Sequence, residues 1–368
     1  MRVLMTGGGT GGHVNPAIAI ANTIREKEKD SVIAFVGTSR GIENKLVPKF
    51  GYEVYHVEIQ GLKRKLSLSN IKTAYLAFTS VFKAKKLVKK FRPDVVIGTG
   101  GYVCWPVVKA AASMGIPTVL HESNAIPGVA VKMLEKYVDI VYTNFEATIN
   151  KLKCPEKAKR VGNPLIGGFN IDNADISNVK GDYKKLILSY GGSLGAMRVN
   201  SEMLKVMRDF SSKHPEVLHI HASGAIEKET AQNTFKEYGL EQYKNLQLVE
   251  YIYDMPTKMA AADLVVSRAG AMTLSELAMM NKPCILIPSP NVTDNHQYKN
   301  AVELEKKKAA VVFEEKDLDE GVMVKAIEDL IFDEKRLAEM KKNIGTFAVE
   351  NTNELIYNGV KQLVETKK

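Results

Sequence analysis

Residues 7–13 read Gly-Gly-Gly-Thr-Gly-Gly-His, one residue after the apolar run Val3–Met5 and before a helical pattern. Glycine lets backbone N–H groups close on a bound anion with no Cβ in the way. A helix start behind such a loop adds aligned donors and positive potential. These types at this spacing suit a phosphate or sugar phosphate, and His13 adds a group that can move a proton near neutral pH. Gly7, Gly9 and Gly12 also satisfy G-x-G-x-x-G, the dinucleotide fingerprint, which expects an acid at the end of the second strand. That strand is expected at Ser31–Val36, and Gly-Thr-Ser-Arg follows it without an acid. Arg40 can serve a 2′-phosphate, so an NADP-dependent oxidoreductase stands as an alternative.

A second constellation runs from Ser267 to Glu276, Ser-Arg-Ala-Gly-Ala-Met-Thr-Leu-Ser-Glu. A strand ends, Gly270 turns the chain and a helix starts near Ala271, with Leu274, Leu277 and Ala278 on one apolar face. The N–H groups of Ala271, Met272 and Thr273 then suit a diphosphate. Glu276, one turn on, can take both hydroxyls of a ribose, although a solvated helix acid is the plain alternative. Asp294-Asn-His-Gln-Tyr298 offers Gln297 and Asn300 to sugar hydroxyls, or caps a helix over Gln297–Lys306.

Gly98-Thr-Gly-Gly-Tyr102 and His121-Glu-Ser-Asn124 end further strands. They put a second glycine loop and the candidate bases His121 and Glu122 on the edge that carries His13. Gly191-Gly-Ser-Leu-Gly195 matches the nucleophile elbow G-x-S-x-G, with Asp263 and His296 following in hydrolase order. An α/β-hydrolase with Ser193 as nucleophile is therefore a further alternative, one that leaves the first half of the chain without a task. Asp317-Leu-Asp319 reads as a solvated helix start rather than a metal site, and no metal or cofactor is expected.

Two domains must position these groups. The chain has 368 residues, 45% hydrophobic and 25% charged, a globular composition. The net charge of +9 is uneven, with 25 Lys and Arg against 12 acids over residues 1–165 and 26 against 30 beyond. The first half is thus expected to face something anionic. No targeting signal or spanning segment is expected, and Cys104, Cys154 and Cys284 lie too far apart for a metal spacing, which fits a reducing compartment.

The strand candidates of the first half are Val3–Met5, Ser31–Val36, Glu53–Val57, Val95–Gly98, Thr118–His121, Ile140–Tyr142 and one ending at Val161. Helices alternate with them near Ala17–Lys27, Gly41–Lys49, Asn70–Phe91, Trp105–Met114 and Val129–Tyr137. Asn163-Pro164 and the loose segment Gly167–Gly181 make a break, and Leu186 restarts the same grammar. This predicts an α/β chain of two doubly wound parallel sheets facing a cleft. The domains are expected at 1–164 and 165–368, and the last helix can also pack back on the first domain.

Ile59–Pro93 holds ten Lys and Arg and no acid, with Ile71, Tyr75, Phe78 and Phe82 at helical spacing. An apolar stripe flanked by cations suits an anionic membrane surface, with a helix packed on its own sheet as the alternative. No nucleic-acid motif is present.

In order along the chain, Gly8-Gly-Thr-Gly-Gly-His13, Gly100-Gly-Tyr102, His121-Glu122 with Asn124, Gly162-Asn-Pro164, Gly191-Gly-Ser193, Ser267-Arg268, Gly270-Ala271 with Thr273, Ser275-Glu276 and Gln297-Tyr298 resemble one family. It is the UDP-N-acetylglucosamine transferases of peptidoglycan synthesis, which convert lipid I to lipid II. The resemblance implies a GT-B fold, an inverting transfer and a peripheral place on the cytoplasmic face of the membrane. It implies UDP-GlcNAc in the C-terminal half and undecaprenyl-pyrophosphoryl-MurNAc-pentapeptide in the N-terminal half. Ile252 would then meet the uracil, Ser193 and Ala271–Thr273 the diphosphate, Glu276 the ribose and Gln297 the GlcNAc, with Leu274 and Ser275 in the same donor segment. Thr10, Gly11, Gly12 and Asn124 would complete the donor pocket, and Gly100, Gly101 and Tyr102 would meet the acceptor. His13 or Glu122 would be the base. The sequence departs from the family at Ile166, where Arg is usual, and at Ser123 and Leu194, where Gln is usual.

Overall fold

The computed structural model describes residues 1–59, 69–167 and 176–367, leaving aside the side chains of 69–78 and 177. The chain divides into two compact units. One is Met1–Gly168 with Val349–Lys368, and the other is Phe169–Ala348.

Unit 1 is built on seven parallel strands. They are β1 (Arg2–Thr6), β2 (Val32–Gly37), β3 (Glu53–His56), β4 (Val95–Gly98), β5 (Thr118–Glu122), β6 (Ile140–Thr143) and β7 (Ala158–Arg160), in the order 3-2-1-4-5-6-7. Both faces of the sheet are covered, and the period of two along β1 sorts its side chains between them. Val3 and Met5 join Ile18, Ile24, Ile356 and Val360 on one side, while Leu4 joins Val88, Val107 and Leu120 on the other. The last helix, Thr352–Lys367, buries Ile356, Val360 and Val364 at a spacing of four against the helix Gly11–Lys27.

Unit 2 carries six parallel strands. They are β8 (Lys185–Tyr190), β9 (Val217–Ala222), β10 (Leu246–Val249), β11 (Leu264–Ser267), β12 (Cys284–Leu286) and β13 (Ala310–Val312), in the order 10-9-8-11-12-13. In each sheet the first strand lies at the point where the winding reverses, β1 between β2 and β4, β8 between β9 and β11. Doubly wound sheets take ligands at such points, outside the strand C-termini. The four glycine-bearing loops that follow β1, β4, β8 and β11 are the segments placed there.

Some local expectations are corrected. The helix expected over Gly41–Lys49 is only Glu43–Leu46 and passes into a 3-10 turn at Val47–Phe50, because Pro48 has no N–H to continue it. The segment Gly167–Gly181 contains a short helix, Ile176–Lys180. Asp317 ends a 3-10 turn, and the next helix, Val322–Ile331, begins beyond Asp319 after the left-handed Gly321. On the helix Ser69–Phe91, Val81, Leu87 and Val88 pack on the core while Phe82 is 53% exposed. The side chains of Ile71, Tyr75 and Phe78 lie outside the described residues. Among the described residues no helix is long and apolar enough to cross a membrane, and no group of three or more His, Cys, Asp or Glu could hold a metal ion.

Candidate functional site

In unit 1 the loops after β1 and β4 lie against each other, and this contact is what requires their glycines. Gly8 N–H donates to the Gly100 carbonyl at 3.3 Å. A Cβ on Gly101, which has φ +81°, would fall 2.3 Å from the Gly8 carbonyl oxygen, and one on Gly100 2.6 Å from the His13 ring. Thr99 closes the joint, its hydroxyl donating to the His13 carbonyl at 2.7 Å. The His13 Nδ1 is 3.1 Å from the Gly8 carbonyl and 3.4 Å from the Thr10 hydroxyl. A carbonyl can only accept, so Nδ1 carries the proton and Nε2 keeps its lone pair in the neutral ring.

The glycine loop is less open to phosphate than its sequence suggests. Gly8 N–H is taken by Gly100, and Gly9 N–H donates to the Glu43 carboxylate at 3.1 Å. The part of the segment suited to an anion is the start of the helix Gly11–Lys27. Thr10 caps it with no side-chain hydrogen bond, and its first turn holds no acid. Tyr102, 56% exposed, brings its hydroxyl to 4.0 Å from where a Cβ on Gly9 would lie.

The other two candidate bases differ. His121 does not line the rim. It is fully buried, Nε2–H donates to the Gly162 carbonyl at 2.9 Å, and burial lowers its pKa to about 4. On a central strand covered on both faces, a side chain goes to one layer or the other rather than to the edge. Glu122 is buried with both carboxylate oxygens engaged. Oε1 accepts from the Asn124 N–H and side-chain amide at 2.9 and 3.1 Å, and Oε2 from the Gly128 N–H at 2.7 Å. It closes the 123–128 turn and holds Asn124.

In unit 2 the helix Ala271–Met279 starts at the Gly270 N-cap with no side-chain cap and no acid in its first turn. Its positive end, at Ala271, Met272 and Thr273, is therefore not neutralised from within. Gly270 has an ordinary φ of −63°, so it supplies the absence of a side chain rather than an unusual backbone. Leu274 packs inward, while Ser275 and Glu276 are half-buried. Burial raises the Glu276 pKa to about 7. Arg268 is held by the Ile287 carbonyl and by Glu315.

The loop after β8 lies on the next one. A Cβ on Gly195 would fall 2.2 Å from the Ser223 carbonyl, and one on Gly224 2.0 Å from Gly195 N. Ser193 stands exposed at its tip. Ile252 is buried between the exposed Tyr251 and Tyr253. Gln297 accepts the Ser289 N–H on Oε1 at 2.9 Å, which leaves its amide Nε2 as donor. The turn before it holds Asp294 and Asn295 at φ +57° and +49°, a left-handed backbone that Asp and Asn adopt more readily than other non-glycine residues.

Both alternatives fail on geometry. Asp263 lies at the opposite end of the sheet from Ser193, its carboxylate taken by Leu186 N–H and Lys180. His296 donates Nδ1–H to the Thr293 carbonyl instead of meeting a serine. For a dinucleotide, the backbone at the second glycine of the fingerprint, Gly9, must approach a pyrophosphate, and here it already faces the Glu43 carboxylate, an anion, through its N–H. Glu43 is the residue the sequence reasoning missed. Its signal, one acid six positions beyond β2, is too weak to single out.

Residues 3–143 match the glycosyltransferase family 28 N-terminal domain and residues 186–356 its C-terminal domain. A curated relative from Ruminiclostridium cellulolyticum is 42% identical over 99% of this chain and 100% of its own length. One from Acetivibrio thermocellus is 39% identical over 100% and 99%. Both are named UDP-N-acetylglucosamine–N-acetylmuramyl-(pentapeptide) pyrophosphoryl-undecaprenol N-acetylglucosamine transferase. The crystal structure of MurG from Acinetobacter baumannii matches with a TM-score of 0.80 at 26% identity, covering 98% of this chain and 99% of that one. A UDP-GlcNAc 2-epimerase from Neisseria meningitidis, bound to UDP-GlcNAc, shares the fold at a TM-score of 0.64 and 15% identity.

Proposed function

The chain belongs to glycosyltransferase family 28, and from that premise we propose how its residues carry out the family's transfer. The fold is of the GT-B type, and the enzyme is a UDP-GlcNAc-dependent N-acetylglucosaminyltransferase of peptidoglycan synthesis. It moves N-acetylglucosamine to the 4-hydroxyl of the N-acetylmuramic acid in undecaprenyl-pyrophosphoryl-MurNAc-pentapeptide, which turns lipid I into lipid II.

UDP-GlcNAc binds unit 2. The observation that carries this is a helix that starts behind Gly270 with no acid in its first turn and with Glu276 one turn on. The N–H groups of that turn and Ser193 take the diphosphate, Glu276 the ribose hydroxyls, Ile252 the uracil and the Gln297 amide the sugar. The lipid-linked acceptor binds unit 1 at Gly100, Gly101 and Tyr102, and its pyrophosphate faces the helix start at Gly11 and Gly12. Thr10 and Asn124 serve the substrates from the same edge.

The acceptor hydroxyl attacks C1 of GlcNAc and His13 Nε2 takes its proton. The bond from C1 to the UDP oxygen breaks with inversion. The charge that develops on UDP is stabilised by the helix dipole at Ala271. Glu122 is assigned the holding of Asn124, because both its oxygens are already engaged.

The basic half of the chain and the exposed Phe82, with the exposed Lys83, Lys86, Lys89 and Lys90 further along the same helix, support peripheral binding to the anionic cytoplasmic face of the cell membrane. The test of the whole reading is transfer itself. Purified protein given UDP-GlcNAc and a lipid I analogue should release UDP and form the β-linked disaccharide, and failure to do so overturns it.

A further inference from the structure

Glu43 is 1% exposed, at the start of the short helix Glu43–Leu46, and the mechanism above does not use it. Its Oε1 accepts the Thr38 N–H at 2.8 Å and the Thr38 hydroxyl at 3.1 Å, and its Oε2 accepts the Gly9 N–H at 3.1 Å. Among the described residues no Lys, Arg or His forms an ion pair with it. Three glycines clear its space. A Cβ on Gly8, Gly37 or Gly41 would fall 2.8, 2.4 or 2.1 Å from its side chain. A buried carboxylate without a counter-charge is costly unless N–H and O–H donors satisfy it. Here those donors come from the ends of two adjacent strands, β1 and β2.

We propose that Glu43 is a positioning residue for the transfer, an internal anion that sets the Gly7–Gly12 loop and, through Gly8, the imidazole of His13. The link is short. The carboxylate holds Gly9 N and packs on Gly8, whose carbonyl accepts the His13 Nδ1 proton. The same contact keeps Gly9 N from the acceptor, so the acceptor's pyrophosphate is left to the helix start at Gly11 and Gly12. The loop is thus shaped before substrate arrives, and no ligand has to order it. This inference rests on the assignment of His13 as the base.

Glu43→Gln keeps the size but replaces one acceptor oxygen by a donor, so it cannot hold both Thr38 and Gly9. It should lower kcat by about 10²-fold, the cost of misplacing a reacting group by an ångström. UDP-GlcNAc affinity, measured by calorimetry on the same sample, should stay within about twofold, because the donor is held by unit 2. In a His13→Ala background the Glu43→Gln change should add little, since the two act as a unit. Glu43→Ala should regain turnover with formate but not with chloride at equal ionic strength. Three results overturn the inference: wild-type kcat in Glu43→Gln, donor affinity falling in step with kcat, or losses that multiply with those of His13→Ala. An active His13→Ala enzyme instead overturns the assignment of the base. An inactive His13→Ala beside a fully active Glu43→Gln overturns the role of Glu43 alone.

Discussion

The Gly8 carbonyl oxygen and the His13 Nδ1 lie 3.1 Å apart, which fixes the proton on Nδ1 and leaves Nε2 to act as base. General-base loss costs roughly 10²–10⁴ in rate. His13→Ala should therefore lower turnover by that order with UDP-GlcNAc affinity little changed. Steady-state kinetics with calorimetry on the same protein reads both. A variant that keeps most of its turnover would move the role to Glu122, against the engagement of both its oxygens.

Donor binding should depend on pH through Glu276. Burial raises its pKa to about 7, so the free protein holds it protonated below that pH. A carboxylate that accepts from two ribose hydroxyls does so best when ionised, because the neutral acid turns one oxygen into a donor and loses the charge assistance. The apparent Kd for UDP-GlcNAc should thus rise roughly tenfold from pH 8 to pH 6, following the ionised fraction of one group. The diphosphate diester of the sugar nucleotide does not titrate in this window. A Kd flat over that range, or one that falls toward acid, contradicts the role of Glu276.

Unit 2 should lose stability in mild acid. His219 and His221 are fully buried and joined through the Ser189 hydroxyl at 3.0 and 2.8 Å. Burial lowers their pKa values to about 3 and about 4. The folded state keeps both neutral, whereas the unfolded chain takes up protons below its ordinary histidine pKa of about 6.5. The histidine contribution is then complete above pH 6.5 and falls as pH drops toward 4, by up to roughly 2 kcal/mol per histidine between pH 7 and 5, while Glu276 with its raised pKa offsets part of this loss in the opposite sense. Urea unfolding at pH 7, 6 and 5 measures this, and His221→Gln should flatten the slope. Equal stability at pH 7 and 5 would count against buried neutral rings.

The membrane reading is open to a direct assay. Wild-type protein should sediment with vesicles rich in anionic lipid and release as salt rises. Replacing Phe78 and Phe82 with Ser should weaken the binding while leaving UDP-GlcNAc affinity intact. If the wild type ignores anionic vesicles at low salt, the lysines of the helix Ser69–Phe91 are a solvated face and nothing more.

The parts legible in the sequence are those where local pattern and tertiary need coincide. A short apolar strand run into glycines marks the ends of β1, β4 and β8, because only glycine tolerates the contact of Gly101 with Gly8 or of Gly195 with Ser223. Ala271 begins a helix after a glycine, with its apolar face in register. The illegible parts are long-range. Arg268 meets Glu315 across 47 residues, and nothing near either announces it. His121 ends a strand as a rim residue would, and only the layers over that strand show that it points inward. Glu43 sits in a helical pattern of mixed polarity, and the space that three glycines make for it exists only after β1 and β2 are paired.

The central claim is that UDP-GlcNAc is held at the Ala271 helix start with Glu276 on its ribose. Calorimetric titration of UDP-GlcNAc into wild type and Glu276→Ala, each repeated with NADPH present, tests it most directly. One lost charge-assisted pair is worth about 1.5–3 kcal/mol, so Glu276→Ala should weaken binding about tenfold or more while NADPH fails to compete. Unchanged affinity in a folded Glu276→Ala protein, or displacement of UDP-GlcNAc by NADPH, would contradict it.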